Sequence, residues 1–84
     1  MYKLNILRRA VKDIAKLPGK YPRRISQRID ALAQTPRPRG AKKLAGESGY
    51  RLRVVVYRIL YDVDDDAQVV TIYRVKHRKE AYRK

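Results

Sequence analysis

The hydrophobic pattern of the chain changes period partway along it, and this change constrains the fold more than any other feature. Between residues 8 and 35, apolar residues recur at the three-to-four spacing of amphipathic helices, with a break at Pro18-Gly19. From residue 50 to residue 75 they alternate with polar residues, as in half-buried strands. A short alternating stretch at residues 2–7 comes before the helical part. The order of these patterns predicts an α+β fold arranged β-α-α-β-β-β.

The predicted elements form an antiparallel sheet of about four strands with an N-terminal helix hairpin packed on one face. The second helix runs from about Pro22 to about Thr35, and residues 35–49 form a connecting loop because prolines and glycines interrupt them. The last three strands form a meander, to which the first strand is added at an edge or in the centre. They cover residues 50–54, 57–63 and 68–75. A chain of 84 residues has room for one domain, which is expected to cover residues 1–84.

Positive charge is spread over almost the whole length of the chain. Twenty-two lysines and arginines against eight acidic residues give a net charge of +14. Charge of one sign at this density repels itself in a compact fold, so it favours a polyanion or an acidic protein as partner. The sequence therefore predicts contact with nucleic acid, and in its least specific form a plain basic RNA-binding module.

The sequence contains neither cysteine nor a long apolar segment, which narrows the possible classes of protein. Without cysteine, a disulfide scaffold and a thiolate-ligated zinc site are excluded, and a reducing compartment such as the cytoplasm fits. No apolar run approaches the roughly 20 residues of a membrane helix, so no membrane partner is expected.

The acidic turn "DVDDDAQ" has the spacing of a calcium-binding loop but lacks its other residues. Asp62, Asp64 and Asp66 alternate as calcium ligands would. The sixth position is Ala67 rather than glycine, and the twelfth is Tyr73 rather than glutamate. The turn is therefore predicted to be solvated, and no metal or cofactor site is expected.

Arginines on two predicted strands are expected to share the face of the sheet that the helices leave open. In "YRLRV", Arg51 and Arg53 point to the side opposite the apolar residues. In the next strand Arg58 has the opposite phase to its apolar neighbours, so it joins the other two. The stretch after the last strand approaches the same face, and it contains Lys76, His77, Arg78 and Tyr82. Either this group contacts phosphates, or its arginines are only the solvated side of a sheet.

The segment from residue 42 to residue 82 resembles the RelE family of type II toxins, the ribosome-dependent mRNA interferases of the RelE/ParE superfamily. The matching features are a Lys-Leu-x-Gly loop ending at Gly46, the strands "YRLRV" and "YRILY", a basic "HR" at the end of the last hairpin, and a tyrosine four residues past that arginine. The N-terminal strand and helix pair also fit, so the resemblance covers nearly all of the chain.

The resemblance implies metal-free cleavage of mRNA in the ribosomal A site, and silencing by a cognate antitoxin that wraps the toxin. A RelB-like antitoxin, acidic or partly disordered, would suit a toxin with a net charge of +14. By position, the resemblance implies an active site at Arg51, Arg53, Arg58, Arg78 and Tyr82, with His77 beside them.

Metal-free cleavage lets the ribose 2′-OH attack the adjacent phosphate, and this chemistry needs a base as well as cations. Arg58 is assigned to the charged phosphorane, with Arg51 and Arg78 as helpers, because fixed bidentate guanidinium groups stabilise phosphate charge. The base stays open, because some relatives carry lysines where this chain has strand arginines, and an arginine effectively keeps its proton. Either His77 or Tyr82 is the base, or Tyr82 only stacks on an RNA base.

A second function from the same superfamily stays open. Proteins of the ParE branch resemble this fold but act on DNA gyrase, without catalysis. The "HR…Y" end and the three sheet arginines favour the nuclease over this alternative.

The connection Val55-Val56 between the two arginine-bearing strands departs from the glycine-containing turn that relatives often have. Two β-branched residues resist positive φ, so a bulge or bend is expected here rather than a tight turn. The relative aim of Arg53 and Arg58 depends on this connection.

Overall fold

The computed structural model describes residues 1–44 and 49–81 of the chain. Its helices are α1 (Arg8–Ala15), α2 (Tyr21–Ala31) and α3 (Arg78–Ala81). Its strands are β1 (Lys3–Ile6), β2 (Ala41–Lys43), β3 (Tyr50–Val54), β4 (Tyr57–Asp64) and β5 (Val69–His77). Within the described residues these strands form one sheet of five, in the order β1-β5-β4-β3-β2.

The predicted α+β architecture, with a helix hairpin on one face of the sheet, is confirmed. Two details differ from the prediction. The strand β2 lies inside the stretch 35–49 that was predicted to be a loop, and it pairs antiparallel with β3. The strand β1 lies at the sheet edge and pairs parallel with β5, the last strand of the chain. Helices α1 and α2 carry the chain from β1 across one face to β2 at the opposite edge.

The core lies between the helix hairpin and one face of the sheet. Helix α2 contributes Ile25 and Ile29, one turn apart, and both are fully buried. Helix α2 ends at Ala31 rather than near Thr35, and Leu32 behind it is also buried. Each such side chain contributes about 1.5–3 kcal/mol when removed from water. The buried residues of the sheet face are Leu52, Val54, Tyr57, Ile59, Tyr61, Val70, Ile72 and Val75.

A β-bulge interrupts the pairing of β4 with β5 and changes which residues of β5 face the helices. Leu60 pairs with Arg74, but the next residue, Tyr61, pairs with Ile72, so β5 holds one extra residue here. Before the bulge, the even-numbered residues such as Ile72 face the core. After the bulge, Val75 faces the core, so the phase of the strand is reversed.

The connection between β3 and β4 is a tight two-residue turn, so the expectation of a bulge or bend is wrong. Val54 pairs directly with Tyr57, and Val55 adopts a φ of +58°. Val56 packs against the core, and its carbonyl oxygen accepts the Arg78 amide at 2.7 Å. These tertiary contacts hold a conformation that a β-branched residue disfavours.

The described helices contain eight, eleven and four residues. None of them is long and apolar enough to cross a lipid bilayer.

Candidate nucleic-acid interface

Cations from four strands lie together on the face of the sheet opposite α1 and α2. On β2 and β3, Lys42 pairs with Arg51. One step further along the sheet, Arg53 pairs with Arg58, and Arg58 pairs in turn with Lys76 of β5. We call these five residues, Lys42, Arg51, Arg53, Arg58 and Lys76, the cationic face.

The cationic face sets like charges directly opposite each other across neighbouring strands. Cross-strand neighbours have Cβ atoms about 4.5–5.5 Å apart, and like charges at that spacing destabilise a sheet. Burial of the other sheet face holds the strands in register despite this repulsion. A bound polyanion would convert the repulsion into attraction, so the arrangement suits a site for phosphate groups.

A cavity of about 460 Å³ opens on the cationic face. It is lined by Gly40, Lys42, Arg51, Arg53 and Arg58. Its volume falls in the range of about 300–1,000 Å³ that is usual for small-ligand sites. The charged residues of this cavity stand on paired strands, so the register of the sheet fixes the spacing of their backbones.

Arg58 differs from the other cations of the face because it is buried. It is only 4% exposed, and among the described residues it is the one buried charged side chain. Its Nη1 donates to the carbonyl oxygen of Tyr57 at 3.5 Å. A guanidinium held in a low-dielectric environment interacts strongly with an anion that reaches it, because water screens the interaction less.

His77 lies on the opposite face from the arginines, so the structure does not bring these predicted site residues together. His77 pairs with Tyr57, and the two rings meet edge to face at 5.7 Å between centroids. Its Nδ1 accepts the amide of Lys79 at 3.3 Å. The imidazole lines a second cavity on the helix side, together with Asp13 and Lys16. Lys76 also lines this second cavity, so among the cations of the face it is the one at the edge shared by the two cavities.

The expected position of His77 was wrong because of the bulge in β5. If alternation continued unbroken from Ile72, His77 would face the same way as the arginines. The extra residue reverses the phase and places Lys76 there instead. The local sequence does not predict the bulge, because "TIYRVKH" contains neither glycine nor proline.

Arg78 is exposed at the first residue of α3, beside the turn that joins the two arginine-bearing strands. Its amide donates to Val56 in that turn. Its backbone therefore lies next to the strand ends that carry Arg53 and Arg58. Tyr82, and Gly46 of the Lys-Leu-x-Gly loop, lie outside the described residues.

Lys42 is a cation of the face that was not predicted to be a site residue. Lys42 was assigned to a loop, although "GAKK" carries the alternation of a very short strand, with Ala41 facing inwards. Lys76 was expected near the arginines only as part of a C-terminal stretch. Its pairing with Arg58 depends on the bulge, which only the structure reveals.

The acidic turn after β4 is engaged in local contacts. The carboxylate of Asp64 accepts the amide of Ala67 at 3.0 Å, as in an Asx-type turn. The carboxylate of Asp65 accepts two bonds from Arg37, at 2.7 and 3.1 Å, and one from the Tyr2 hydroxyl at 2.7 Å. Arg37 holds the pKa of Asp65 below its usual value. The Asp65 carboxylate therefore has a structural role, because it links this turn to Arg37 and to Tyr2.

Comparison with known proteins defines the class as a small toxin of a type II toxin–antitoxin system. The family described as "ParE toxin of type II toxin-antitoxin system, parDE" matches residues 4–82. The RelE1 protein of Methanocaldococcus jannaschii is 28% identical over 86 residues, which cover 98% of this chain and 96% of that protein.

Solved structures give the same result at the level of the fold. A chain of the toxin–antitoxin complex RelBE2 from Mycobacterium tuberculosis matches with a TM-score of 0.80 and 30% identity, covering 90% of this chain and 96% of that one. A chain of the archaeal RelE–RelB complex from Pyrococcus horikoshii matches with a TM-score of 0.78 and 30% identity, covering 92% and 94%. The chain therefore belongs to the ParE toxin family of type II toxin–antitoxin systems and, within that superfamily, to the RelE toxins.

Proposed function

We propose that this toxin is an endoribonuclease that cuts mRNA on the ribosome without a metal ion. The observation that carries the proposal is the cationic face, in which a buried Arg58 lies between Arg53 and Lys76 on paired strands. Cations held this closely suit a phosphate whose negative charge grows during reaction. The family membership and the relatives named RelE support the same activity.

The proposed reaction uses the substrate's own ribose as the nucleophile. The 2′ oxygen attacks the adjacent phosphorus and gives up its proton to a base, and the bond from phosphorus to the 5′ oxygen breaks. The departing 5′ oxygen takes a proton, so the products are a 2′,3′-cyclic phosphate and a 5′-hydroxyl end. Arg58 stabilises the charged phosphorane between these steps. Arg51 and Arg78 assist, with Arg53 and Lys76 positioning the RNA backbone.

The position of His77 bears on the choice of base. With its imidazole on the helix side, paired with Tyr57, His77 does not line the cavity of the cationic face. This favours Tyr82 over His77 as the base, with Arg78 orienting the phosphate. The cations of the face would ease ionisation of a tyrosine that approaches them. The test is a pair of variants, Tyr82→Phe and His77→Ala, of which only the first is expected to abolish cutting.

The proposed partners are the ribosome, its mRNA and a cognate antitoxin. The related structures from M. tuberculosis and P. horikoshii are toxin–antitoxin complexes, which supports a RelB-like antitoxin for this chain. An acidic, partly disordered segment of the antitoxin would bind this toxin, whose net charge is +14, and would become ordered on its surface. Because the proposed substrate is mRNA on ribosomes, the proposed site of action is the cytoplasm.

Purified toxin added to mRNA-programmed ribosomes tests the proposal. Cut message is expected with the natural chain. The variants Arg51→Gln and Arg58→Gln are expected to lose cutting, whereas Arg23→Gln, on the exposed side of α2, should retain it. Intact message with the natural chain would contradict the proposal.

The runner-up function is inhibition of DNA gyrase, as expected for the ParE branch. The observation in its favour is the description of the matching family, which is that of ParE toxins. A supercoiling assay with gyrase and relaxed plasmid separates the two functions. The nuclease proposal predicts unimpaired supercoiling, and loss of supercoiling with uncut message would establish the alternative.

A further inference from the structure

The carboxylate of Asp13 in helix α1 clamps the end of strand β5 at its bulge. One oxygen, Oδ2, accepts both Nε of Arg74 at 2.8 Å and the backbone amide of Val75 at 3.0 Å. The other oxygen, Oδ1, accepts Nη2 of Arg74 at 3.1 Å. The Asp13 side chain is only 16% exposed, so these contacts are partly protected from water.

We call these contacts of Asp13 with Arg74 and Val75 the clamp. The clamp lies at the point where β1 no longer pairs with β5. The strand β1 pairs with β5 only as far as Ile72, and the Leu7 amide donates the last bond to that residue. Beyond this point the amide of Val75 has no β1 residue to bond, and the Asp13 carboxylate takes the place of a strand carbonyl. The clamp therefore closes an open edge directly after the extra residue of the bulge.

The same part of β5 also determines which of its residues face the helices and which face the cationic face. In the bulged register Lys76 pairs with Arg58 on the cationic face, and His77 pairs with Tyr57 on the helix side. Without the bulge, alternation from Ile72 would exchange the faces of Lys76 and His77. Burial of Val75 favours the bulged register as well, so removal of the clamp is expected to loosen residues 73–77 rather than to invert them.

We propose that Asp13 is a positioning residue, which holds the end of β5 so that Lys76 stays beside Arg58 for anion contact. Asp13 lies on the helix side, where it lines the same cavity as Lys76, and in this proposal it touches no substrate. The functional half of this inference rests on the proposed contact of RNA with the cationic face. The structural half concerns only the register of β5, so each half has its own measurement.

The first measurement is the proton NMR contact between the rings of His77 and Tyr57. In Asp13→Ala this nuclear Overhauser effect is expected to fall at least twofold, together with faster exchange of the Val75 amide. The matched control is Asp30→Ala, which removes the same charge from the exposed side of α2 and should leave both signals unchanged. An unchanged ring contact in Asp13→Ala would overturn the inference.

The second measurement is the affinity for a short single-stranded RNA. The effect of one substitution on this affinity is compared between the natural chain and Asp13→Ala. In the natural chain Lys76→Ala is expected to weaken binding about fivefold, as for a charge-assisted contact. In the Asp13→Ala background the same change should cost less than twofold. Arg53→Ala, on a strand far from the clamp, should keep its full effect in both backgrounds. Equal effects of Lys76→Ala in both backgrounds would overturn the inference.

Two further outcomes are distinguishable. If Asp13→Ala does not fold, Asp13→Asn replaces it: its amide oxygen can still accept the Val75 amide, while the ion pair with Arg74 is lost. A partial loss of coupling is then expected, so Lys76→Ala should cost less in Asp13→Asn than in the natural chain, and an equal cost would overturn the inference. If neither Lys76→Ala nor Arg53→Ala weakens RNA binding in the natural chain, the proposed function fails. The ring contact still decides whether Asp13 holds the register.

Discussion

Arg58 combines a buried side chain with a full positive charge. A guanidinium that is 4% exposed loses much of its hydration, and it stands opposite Arg53 on one side and Lys76 on the other. The rigid, planar group presents bidentate donors that a lysine cannot reproduce. We therefore expect activity to depend on the planar geometry of the Arg58 guanidinium and not only on its charge.

The variant Arg58→Lys separates geometry from charge. Cutting of ribosome-bound mRNA is expected to fall by about 100-fold or more, because loss of one transition-state donor usually costs about 10²–10³ in rate. RNA affinity should change much less, since the charge is kept. Arg24→Lys, on the exposed side of α2, serves as control and should cut normally. Full activity of Arg58→Lys would show that charge alone suffices.

Val55 has a backbone conformation that its β-branched side chain disfavours. Its φ of +58° suits glycine, and its side chain is 43% exposed, so little packing is lost on removing it. We expect Val55→Gly to raise the free energy of unfolding by about 1 kcal/mol in urea denaturation. Val56→Gly, at the neighbouring position that packs against the core, should lower it. A destabilised Val55→Gly would be evidence against the strained turn.

At the scale of elements, the sequence predicted strands best where a single period ran without interruption. The strand "YRLRV" was predicted at its observed bounds, Tyr50–Val54, and Arg51 and Arg53 share the face that alternation requires. The last strand was predicted to end at residue 75 but continues to His77 through a bulge. Directly beyond the bulge, the Val75 amide donates to Asp13, which lies 62 residues away in the chain. A local pattern cannot contain such a contact.

The proline-containing loop between α2 and β2 is fastened to the turn between β4 and β5. Arg37 pairs with Asp65, places its guanidinium over the ring of Tyr50 at 5.3 Å, and donates to the hydroxyl of that tyrosine. Tyr61 below is stacked on Tyr50, and its hydroxyl donates to the Pro36 carbonyl oxygen. Burial raises the pKa of Tyr61 to about 12, so it stays protonated as a donor. The loop leading to Lys42 is thus held in place.

The Arg37–Asp65 pair predicts part of the response to acid. Because Arg37 lowers the pKa of Asp65 in the folded state, the stabilisation is present above the unfolded value, about 3.9, and is lost as the pH falls through the folded value. Both side chains are more than a third exposed, so the effect is modest. The fall in melting temperature between pH 5 and pH 2 should be smaller for Asp65→Asn than for Asp66→Asn, an equal charge change in the same turn. Equal falls would contradict this role.

At the scale of the whole molecule, the net charge of +14 links stability to binding. The protein folds against its own repulsion, and the cationic face concentrates that repulsion on one surface. Composition alone predicted nucleic acid as a partner, but it could not say where. The place follows from strand pairing, which turns residues distant in the chain, such as Lys42 and Lys76, into parts of one surface.

Salt should therefore weaken RNA binding and strengthen the fold. If the five residues of the cationic face each contact a phosphate, a slope of about −0.7 per contact gives a total near −3.5, so raising salt from 50 to 200 mM lowers affinity by about 100-fold. The melting temperature of the free protein should rise over the same range, because salt screens self-repulsion. Titration of a fluorescent single-stranded RNA and a thermal melt measure both. A flat binding response would contradict the electrostatic account.

The most direct test of the central claim uses an mRNA with one 2′-deoxyribose immediately 5′ of the mapped cut. If the substrate's own 2′ oxygen attacks a phosphate held by the cationic face, this message stays intact on programmed ribosomes. The unmodified message is then cut to a 5′-hydroxyl end and a cyclic phosphate. Undiminished cutting of the deoxy message, leaving a 5′-phosphate, would contradict the account.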